Sequence, residues 1–468
     1  MKNALFLLVF IHFTAFSQQP LPDSLQKDIE QSLNYLAQNQ TTQTIEGQQY
    51  AGEWIAYMQM KGFFFLLGTK HKYRDSNCFT MAGIHNILAE MYLVDTTQKH
   101  ILPMLQKVYP EILSYGTPTP LGYEFNFWKK LPPRRDLRWG KEPNPVPLVR
   151  RPTTFLLEER FINNAANVAN DADDTALGNL AIWYHQKVFG KIDSILPVKY
   201  NVFDQYLDKN RQNRHWYNYM YHGYKKSGAY MTWLAQESTY ENWRFHKTVL
   251  NNLVFFLPFS VCYPHPYVPY IPWGTNDIDV VVNANVLTYL TKKGSLNQSK
   301  GSEASHRLIE KHTKRGRWNR MGIYYPNRYH FHFAVGRALA AGDTALKSSA
   351  KLLLAHLQKS QKKPDGSYES WKHVNKRDVL QSTTYALLAM LYLKESGLEV
   401  PQELIEKSVF YIDSQKKTEQ NQVFWTGGVF FSGGTVVRNM LYFTSDAYTT
   451  ALVAMAYQKY HKLYFSPN

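Results

Sequence analysis

Two acidic motifs in the chain have the residue types and spacing of a proton-transfer site. Asp171, Asp173 and Asp174 fall within four positions, and Asp277 and Asp279 follow more than a hundred residues later. Carboxylates held close together raise one another's pKa, so one of them can keep its proton near neutral pH. A carboxyl group that keeps its proton can act as a general acid. The five aspartates are therefore our predicted catalytic residues.

Both motifs also have the residues of a helix N-terminus. Asp and Asn are preferred at the N-cap, and acidic residues in the first turn complement the helix dipole. Capping accounts for one or two of these side chains. It does not account for three aspartates in four positions followed by a second Asn-Asp-x-Asp motif at 276–279. We therefore expect the two motifs to share a functional role at the mouth of one cavity.

Two segments dense in Tyr and Trp are suited to form the walls of such a cavity. They are HWYNYMYHGY, residues 215–224, and FFLPFSVCYPHPYVPYIPW, residues 255–273, which leads directly to the second acidic motif. Aromatic faces stabilise cations through their ring quadrupoles, and they also line pockets for uncharged ligands. The predicted substrate-binding residues are Trp216, Tyr219, Tyr267, Tyr270, Trp273 and Asn276.

Six Ala-rich segments with apolar residues at helical spacing recur along the chain. Residues that favour N-caps lead into them, as expected of tightly packed helices. The segments begin near Asn77, Asp173, Asp279, Tyr329, Ser382 and Ser445. Their starts are spaced by roughly 50 to 60 residues, or by about twice that distance, which is typical of stacked helical hairpins.

A second repeat consists of an apolar helix, a Gln, and then a Gly or an aromatic residue. Its members are Gln361, Gly366 and Tyr368; Gln415 and Trp425; and, in a looser copy after SLNYLAQNQ, Gly52 and Trp54. The pattern resembles the Gln-Trp repeat of squalene-hopene cyclases and related terpenoid cyclases. The resemblance covers roughly residues 25 to 460 and is weakest between 190 and 270.

This resemblance implies a toroid of inner and outer helices, and the six Ala-rich segments would be its inner helices. A single hairpin cannot bury its own apolar face, whereas a closed ring of six buries all of them. The predicted fold is therefore all-α, a single α/α toroid built as an (α/α)6-like barrel of helical hairpins with loop insertions. Residues 18–468 would form this one domain, with a basic, Pro-rich insertion at about 115–155.

The first acidic motif, Asp171-Ala172-Asp173-Asp174-Thr175-Ala176, is similar to the Asp-x-Asp-Asp-Thr-Ala motif of class II terpene cyclases. In that family the middle Asp protonates an alkene or an epoxide. The resemblance assigns the acid to Asp173, with Asp171 and Asp174 as its partners. It implies a cyclase of the isomerase type that takes a small-molecule isoprenoid and needs no cofactor.

Two other functions fit the same residues. Paired aspartates in an aromatic groove would also suit a secreted polysaccharide hydrolase or lyase, in which Asp173 or Asp174 faces Asp277 or Asp279 as acid and base. A closed toroid with an aromatic mouth could instead bind a lipid or a glycan without turning it over. The aspartates could also hold Ca²⁺, which prefers carboxylate oxygens. No other metal or cofactor is predicted.

The N-terminal residues have the layout of a secretory signal peptide. Lys2 precedes an apolar segment at 4–11, and the small residues Ala15 and Ser17 come just before Gln18. This order of basic, apolar and small residues is typical of a cleavable signal. We predict a signal peptide at 1–17 and a secreted or periplasmic protein.

Composition excludes several classes of protein. The chain has 53 Lys and Arg against 37 Asp and Glu, a formal charge of +16. The basic cluster at 129–151 suits an anionic partner or peripheral contact with an anionic membrane surface, while a solvated loop is the commonest interpretation of such a segment. A nucleic-acid partner is not expected of an exported protein.

No apolar run approaches the ~18 residues of a membrane span, so a multi-span protein is excluded. With Cys78 and Cys262 alone, a disulfide framework and a Cys-rich zinc site are excluded too.

Overall fold

A computed structural model describes the greater part of the chain. The described residues are 22–46, 48–60, 72–131, 148–149, 169–190, 195–210, 226–235, 276–361, 363–370, 378–432 and 441–465. Most of them are helical. Within these ranges, no helix has the combined length and hydropathy needed to cross a membrane.

The described residues form α-helices, five of which begin with a side-chain cap that bonds the first turn. In chain order they are α1 (Pro22–Gln38), α2 (Cys78–Val94), α3 (Ile101–Leu113), α4 (Ala172–Phe189), α5 (Asn201–Asp204), α6 (Val280–Lys292), α7 (Ser302–Lys314), α8 (Arg328–Ala340), α9 (Lys347–Ser360), α10 (Val379–Glu395), α11 (Gln402–Ser414) and α12 (Asp446–Tyr464). Side-chain oxygens of Asn77, Asp171, Asp279, Asn327 and Ser445 accept from backbone N–H groups in the first turns of α2, α4, α6, α8 and α12. These bonds satisfy donors that a helix start leaves without partners.

Six helices close a ring. Each of α2, α4, α6, α8, α10 and α12 packs on the next, and α12 packs on α2. The ring helices are buried nearly all round, as α10 shows from Gln381 to Leu393. Helices α1, α3, α7, α9 and α11 pack outside them and bury one face only. The predicted helical toroid is therefore confirmed in its ring of six.

A buried charge network closes the end of the ring opposite the helix starts. Lys459 Nζ lies 3.1 Å from Glu90 Oε1 and 3.0 Å from Glu395 Oε2, and Tyr392 donates a 2.8 Å hydrogen bond to Glu90. Although burial raises the pKa of Glu90, the charges of Lys459 and Arg337 lower it to about 2. These groups come from α2, α8, α10 and α12, so the network ties four ring helices together.

The Gln repeat has a physical role that two of its copies share. Gln40 Nε2 donates to the carbonyls of Gly52 and Met104, at 2.9 and 3.0 Å. Gln361 Nε2 donates in the same way to the carbonyls of Gly366 and Leu404, both at 3.0 Å. Each Gln therefore joins the end of one outer helix to the first turn of another. In the third copy the exposed Gln415 amide donates to its neighbour Ser414 and to no other group among the described residues.

The aromatic residues of the repeat fasten the same outer helices. The indole N–H of Trp54 donates to Leu36 O, and that of Trp425 donates to Ile412 O, both at 2.8 Å. The Tyr368 hydroxyl donates to Leu357 O at 3.3 Å. Each accepting carbonyl lies in the last turn of α1, α11 or α9.

The prediction of an all-α fold is only approximate, because segments between the helices pair with one another as short antiparallel strands. They are β1 (Ala56–Met60), β2 (Lys72–Asp75), β3 (Gly116–Thr119), β4 (Gly122–Phe125), β5 (Lys130–Leu131), β6 (Leu148–Val149), β7 (Lys417–Glu419), β8 (Gln422–Phe424), β9 (Val429–Ser432) and β10 (Leu441–Thr444). Four of them form a sheet in the order β2-β1-β10-β9, with Met58 opposite Phe443. This sheet lies across the starts of α2 and α12, so closing the ring brings distant loops together and lets them pair.

Several predictions lie outside the described residues. These are the signal peptide at 1–17, Cys262, and the basic insertion except for 115–131 and 148–149. Cys78 is a buried free thiol at the start of α2.

Candidate active site

The first acidic motif occupies the start of α4. Asp171 is the N-cap, with an extended backbone, and its Oδ1 accepts a 2.7 Å hydrogen bond from the Asp174 backbone N–H. Its own backbone N–H donates to Phe125 O at 3.2 Å. All three aspartates are buried, with no more than 5% of each exposed. Capping therefore explains Asp171, while Asp173 and Asp174 are left in the first turn with no capping role.

Asp173 is held by two residues from other parts of the ring. The Asn285 amide on α6 donates a 2.8 Å hydrogen bond to Asp173 Oδ1, and the Tyr325 hydroxyl donates to Oδ2. Burial and the charge of Asp171 raise the pKa of Asp173 well above its ordinary value, while the hydrogen bond from Asn285 lowers it. Asp173 is therefore a carboxyl group with a raised pKa that is fixed through both oxygens.

The other two aspartates of the motif also have raised pKa values. Burial raises the pKa of Asp171 to about 7, although hydrogen bonds from the first turn lower it. Burial and the charges of Asp171 and Asp173 raise the pKa of Asp174 well above its ordinary value. Within the described part of the chain, Asp174 Oδ1 has no hydrogen-bond partner. Burial is thus the main cause that raises the pKa of all three carboxyl groups.

Asp279 of the second motif positions the residues around the first. It caps α6, where its Oδ1 accepts from Val281 N and Val282 N at 2.7 and 3.2 Å. Its Oδ2 accepts from Ile323 N and Tyr324 N at 2.5 and 3.0 Å. Burial raises its pKa to about 6, while these backbone donors lower it. Asp279 therefore holds the segment that carries Tyr325 against the start of α6.

Asn276 and Asp277 have similar positioning contacts. The Asn276 side chain accepts from Trp233 N at 2.9 Å and donates to Trp233 O at 2.7 Å. Asp277 Oδ2 accepts a 2.6 Å hydrogen bond from the Tyr324 hydroxyl. Asn276, Asp277 and Asp279 have no exposed surface. The structure thus brings all five predicted aspartates to the same rim of the helical ring. The three aspartates of the first motif line the cavity, and the two of the second motif lie behind its lining.

A cavity of about 60 Å³ opens beside the three aspartates of the first motif. Its surface is mostly apolar. Its described lining is Phe127, Trp128, Asp171, Asp173, Asp174, Thr232, Trp233, Val282, Tyr324 and Phe431. The rings pack on one another: Phe431 stacks on Phe127 and on Tyr324, with centroids 4.8 and 5.9 Å apart. Trp233 lies edge-on to Tyr324 at 5.8 Å.

The described aromatic walls are not the ones that we predicted. Trp216, Tyr219, Tyr267, Tyr270 and Trp273 lie outside the described residues, so their part in the site stays a prediction. Asn285 and Tyr325 were missed as well. Most of the missed aromatic residues share one signal, since Phe127-Trp128, Tyr324-Tyr325 and Phe430-Phe431 are pairs of adjacent aromatic residues.

The described residues include no group of three or more His, Cys, Asp or Glu placed to hold a metal ion. Asp279 is also unsuited to Ca²⁺, because four backbone N–H groups already point at its two oxygens. Those donors carry the same sign of charge as a cation would.

Comparison with known proteins gives a likeness in structure alone. No family model and no curated protein matches the sequence. A variant of the type II terpene cyclase MstE from Scytonema, in complex with its substrate geranylgeranyl dihydroxybenzoate, is 14% identical and has a TM-score of 0.52, covering 94% of this chain and 98% of that one. A second MstE variant, in complex with its product merosterolic acid A, is 13% identical with a TM-score of 0.50, over 94% of this chain and 98% of that one.

A protein from Actinoplanes is similar in the same way, at 10% identity and a TM-score of 0.51, over 93% of this chain and 99% of that one. At such low identity these matches show that the chain has the terpene cyclase-like helical toroid fold. They say nothing of individual motifs.

Proposed function

We propose that the protein is a class II terpenoid-cyclase-like enzyme that cyclises an isoprenoid after protonating it from Asp173. The observation that carries the proposal is a buried carboxyl group fixed by Asn285 and Tyr325 beside an aromatic-lined cavity. The fold supports it, because similar structures include a type II terpene cyclase in complex with an isoprenoid-derived substrate.

The surroundings of Asp173 suit a carboxylic acid that keeps its proton at rest and gives it up to the substrate. Burial and the neighbouring Asp171 favour the neutral form. Once the proton has left, Asn285 and Tyr325 donate to both oxygens of the carboxylate that forms. Hydrogen bonds to a charged group contribute about 1.5–3 kcal/mol each, more than bonds to a neutral one. The two donors therefore stabilise the state that follows proton transfer more than the state that precedes it.

The reaction begins when the Asp173 O–H bond breaks and its proton adds to one carbon of an alkene. The π electrons form the new C–H bond and leave a cation on the more substituted carbon. The next double bond attacks that cation, and a C–C bond closes the ring. Loss of a proton to a base ends the sequence, so the product is an isomer of the substrate. No redox cofactor enters this balance.

The aromatic wall protects and stabilises the cation. The faces of Phe127, Phe431 and Tyr324 offer ring quadrupoles, and the apolar surface excludes the water that would intercept a cation. Asp279 and Asn276 act as positioning residues. Asp279 accepts from the backbone N–H groups of Ile323 and Tyr324, directly before Tyr325, and Asn276 bonds the backbone of Trp233. A pocket for a drug-sized ligand has roughly 300 Å³ or more. Isoprenoid binding therefore requires wall side chains to move outward.

Export and peripheral contact with an anionic membrane are also part of the proposal. Export is supported by the signal-peptide layout of residues 1–17, and membrane contact by the basic residues of the insertion. An apolar substrate that partitions into membranes would be reached most easily by an enzyme resting on one.

The test is incubation of the purified protein, without residues 1–17, with linear isoprenoids of increasing chain length, followed by mass spectrometry. We expect products of unchanged mass with fewer double bonds, and a higher unfolding midpoint with the isoprenoid that is turned over. Anionic polysaccharides serve as the comparison. Their cleavage, with no isomer formed from any isoprenoid, would replace the proposal by the hydrolase or lyase alternative.

A further inference from the structure

A second cavity, of about 300 Å³, lies where the ring helices α6 and α8 end. Thr291 lines it from the last turn of α6, Asp343 from the turn after α8, and His306 from the outer helix α7. Asp279 caps the other end of α6, and the 13 residues of this helix span about 20 Å. The cavity is therefore separate from the site around Asp173, and its volume is that of a pocket for a small molecule.

His306 and Asp343 form a hydrogen-bonded pair on the wall of this cavity. His306 Nε2 lies 2.8 Å from Asp343 Oδ2. A carboxylate only accepts, so Nε2 carries a hydrogen, and in the neutral ring the other nitrogen, Nδ1, has a lone pair. Nδ1 bonds no described residue, and it is not one of the fully buried atoms that lack a partner. With 18% of its side chain exposed, His306 thus offers an acceptor to a molecule that enters the cavity.

The charge at this cavity is negative. Asp343 is 1% exposed, and in the described part of the chain its Oδ1 has no hydrogen-bond partner. The described lining contains no Lys or Arg that could compensate the carboxylate. Lys293, just beyond α6, donates instead to Pro197 O and Val198 O, at 2.9 and 3.2 Å. The ends of α6 and α8 add the negative ends of two helix dipoles. The cavity therefore favours a cation and disfavours an anion.

The rest of the described lining is suited to a ligand that donates hydrogen bonds. It contains no aromatic ring, and Asn297 and Thr344, whose side-chain oxygens can accept, are exposed on it. An ammonium group has three N–H donors and no acceptor, so it matches a wall of acceptors around one carboxylate. A metal ion fits less well, because the described residues place no three His, Cys, Asp or Glu side chains to hold one.

We propose that this cavity binds a small organic cation through a primary ammonium group. The ammonium group donates to His306 Nδ1 and is attracted by the charge of Asp343, while Asn297 and Thr344 accept from its other N–H groups. Binding at this cavity does not depend on the proposed cyclisation.

The experiment is isothermal titration calorimetry of the purified protein at low salt, where electrostatic attraction is screened least. The probes are butylamine, 1,4-diaminobutane and butane-1,4-diol, which have the same four-carbon chain and differ in charge. Two variants test the pair. Asp343→Asn removes the charge and keeps an oxygen that can accept from His306, and His306→Phe removes the acceptor.

Two further variants are controls. Glu303→Gln makes the same change from carboxylate to amide one turn earlier on α7, where Glu303 is exposed and pairs with Arg307. Asp173→Asn shows whether the acidic motifs attract the probes instead. Thermal unfolding identifies the variants that fold. Asn297→Asp adds a carboxylate to the exposed lining, and it keeps the test open if Asp343→Asn does not fold.

Both amines should bind the wild type, and the diol should not. The Kd of butylamine should rise about tenfold or more in Asp343→Asn and in His306→Phe, because a hydrogen bond or an attraction to a charged group is lost. It should stay at the wild-type value in Glu303→Gln and Asp173→Asn, and fall about two- to fivefold in Asn297→Asp.

Binding of neither amine to the wild type would overturn the proposal. Equal binding of the diol and the amines, or an unchanged Kd in both Asp343→Asn and His306→Phe, would do the same. Loss of amine binding in Asp173→Asn would move the ligand to the acidic motifs. Binding of Zn²⁺ that is lost in His306→Phe, with no binding of either amine, would replace the ammonium site by a metal site.

Discussion

Asn285 donates a 2.8 Å hydrogen bond to Asp173 from a position 112 residues further along the chain. The bond joins the first turn of α4 to the second turn of α6, two neighbours in the ring. Because Asn285 is 7% exposed and Asp173 is 4% exposed, water competes little for it. The pair makes the acid of the proposed reaction depend on the packing of two helices.

Removing the amide in Asn285→Ala should lower kcat about 10- to 100-fold, because a hydrogen bond to the carboxylate formed on proton transfer is lost. The matched control is Asn283→Ala, two residues earlier on α6, whose amide bonds Tyr230 O and Asp279 O. This control should lose more stability and keep its activity per folded molecule. Turnover and thermal unfolding of both variants check the prediction. Equal loss of activity in both would mean that Asn285 acts through the fold alone.

Tyr325→Phe should change the pH profile of activity. The reaction needs Asp173 in its protonated form, so activity is lost as pH rises through its pKa. The tyrosine hydroxyl stabilises the carboxylate, and its loss raises that pKa further. The alkaline limb should therefore move upward by about one pH unit while the maximal rate falls about tenfold. Tyr324→Phe, which loses a bond to Asp277 instead, should move the limb less. A limb that moves downward would contradict this assignment.

The stability of the folded state should also depend on pH, and we expect it to fall as the pH rises above neutrality. Burial is the main cause that raises the pKa of three carboxyl groups to about 7, those of Glu111, Asp171 and Asp378. These groups are ionised near pH 4 in the unfolded chain, so the folded state binds more protons between about pH 4 and 7 and loses stability as pH rises. Buried histidines such as His330, whose pKa burial lowers to about 3, act oppositely below about pH 6.5. The unfolding midpoint should therefore fall from pH 6.5 to 8.

Asp378→Asn isolates one of these groups, because Asn can still accept the 2.6 Å hydrogen bond from Val429 N. The variant should show a smaller fall in midpoint over this range than wild type, and a higher midpoint at pH 8. Differential scanning calorimetry at several pH values measures both. Parallel curves for the two proteins would show that Asp378 is ionised in the folded state throughout.

The Gln repeat allows a test of the ring itself. Gln361→Ala removes bonds to Gly366 O, Leu404 O and the Ser408 hydroxyl, and should lower the free energy of unfolding by about 2–3 kcal/mol. Gln415→Ala removes one exposed bond and should change it by less than about 0.5 kcal/mol. Chemical denaturation of the pair measures the difference. Similar losses of unfolding free energy in the two variants would show that the Gln361 contacts do not stabilise the packing of the outer helices.

The ring helices could be predicted from sequence because their signals are local. Each predicted start lies within a few residues of the observed one, for example Asp279 against Val280 and Ser445 against Asp446. A capping side chain and the apolar spacing that follows are both read within one or two turns. The strands β1 and β10 had no such signal, since Met58 meets Phe443 only when the ring closes.

The sequence points to Asp173 as a candidate, but it does not point to the residues that contact Asp173. Asp173 belongs to a compact motif, whereas Tyr325 reaches it from 152 residues away. Trp233 lies in a loop with no helical spacing, and its place depends on the Asn276 clamp. Contacts of this kind are set by which helices meet across the ring, and a pattern read along one segment contains no such information.

The central claim is that Asp173 delivers a solvent-exchangeable proton to carbon, and the most direct measurement is product mass after turnover in D₂O. In wild type each product molecule should carry one deuterium on carbon, while Asp173→Asn should form no product and unfold within a few degrees of wild type. A cyclised product without deuterium would show that the reaction starts in another way. A deuterated product from the folded Asp173→Asn protein would show that another group is the acid.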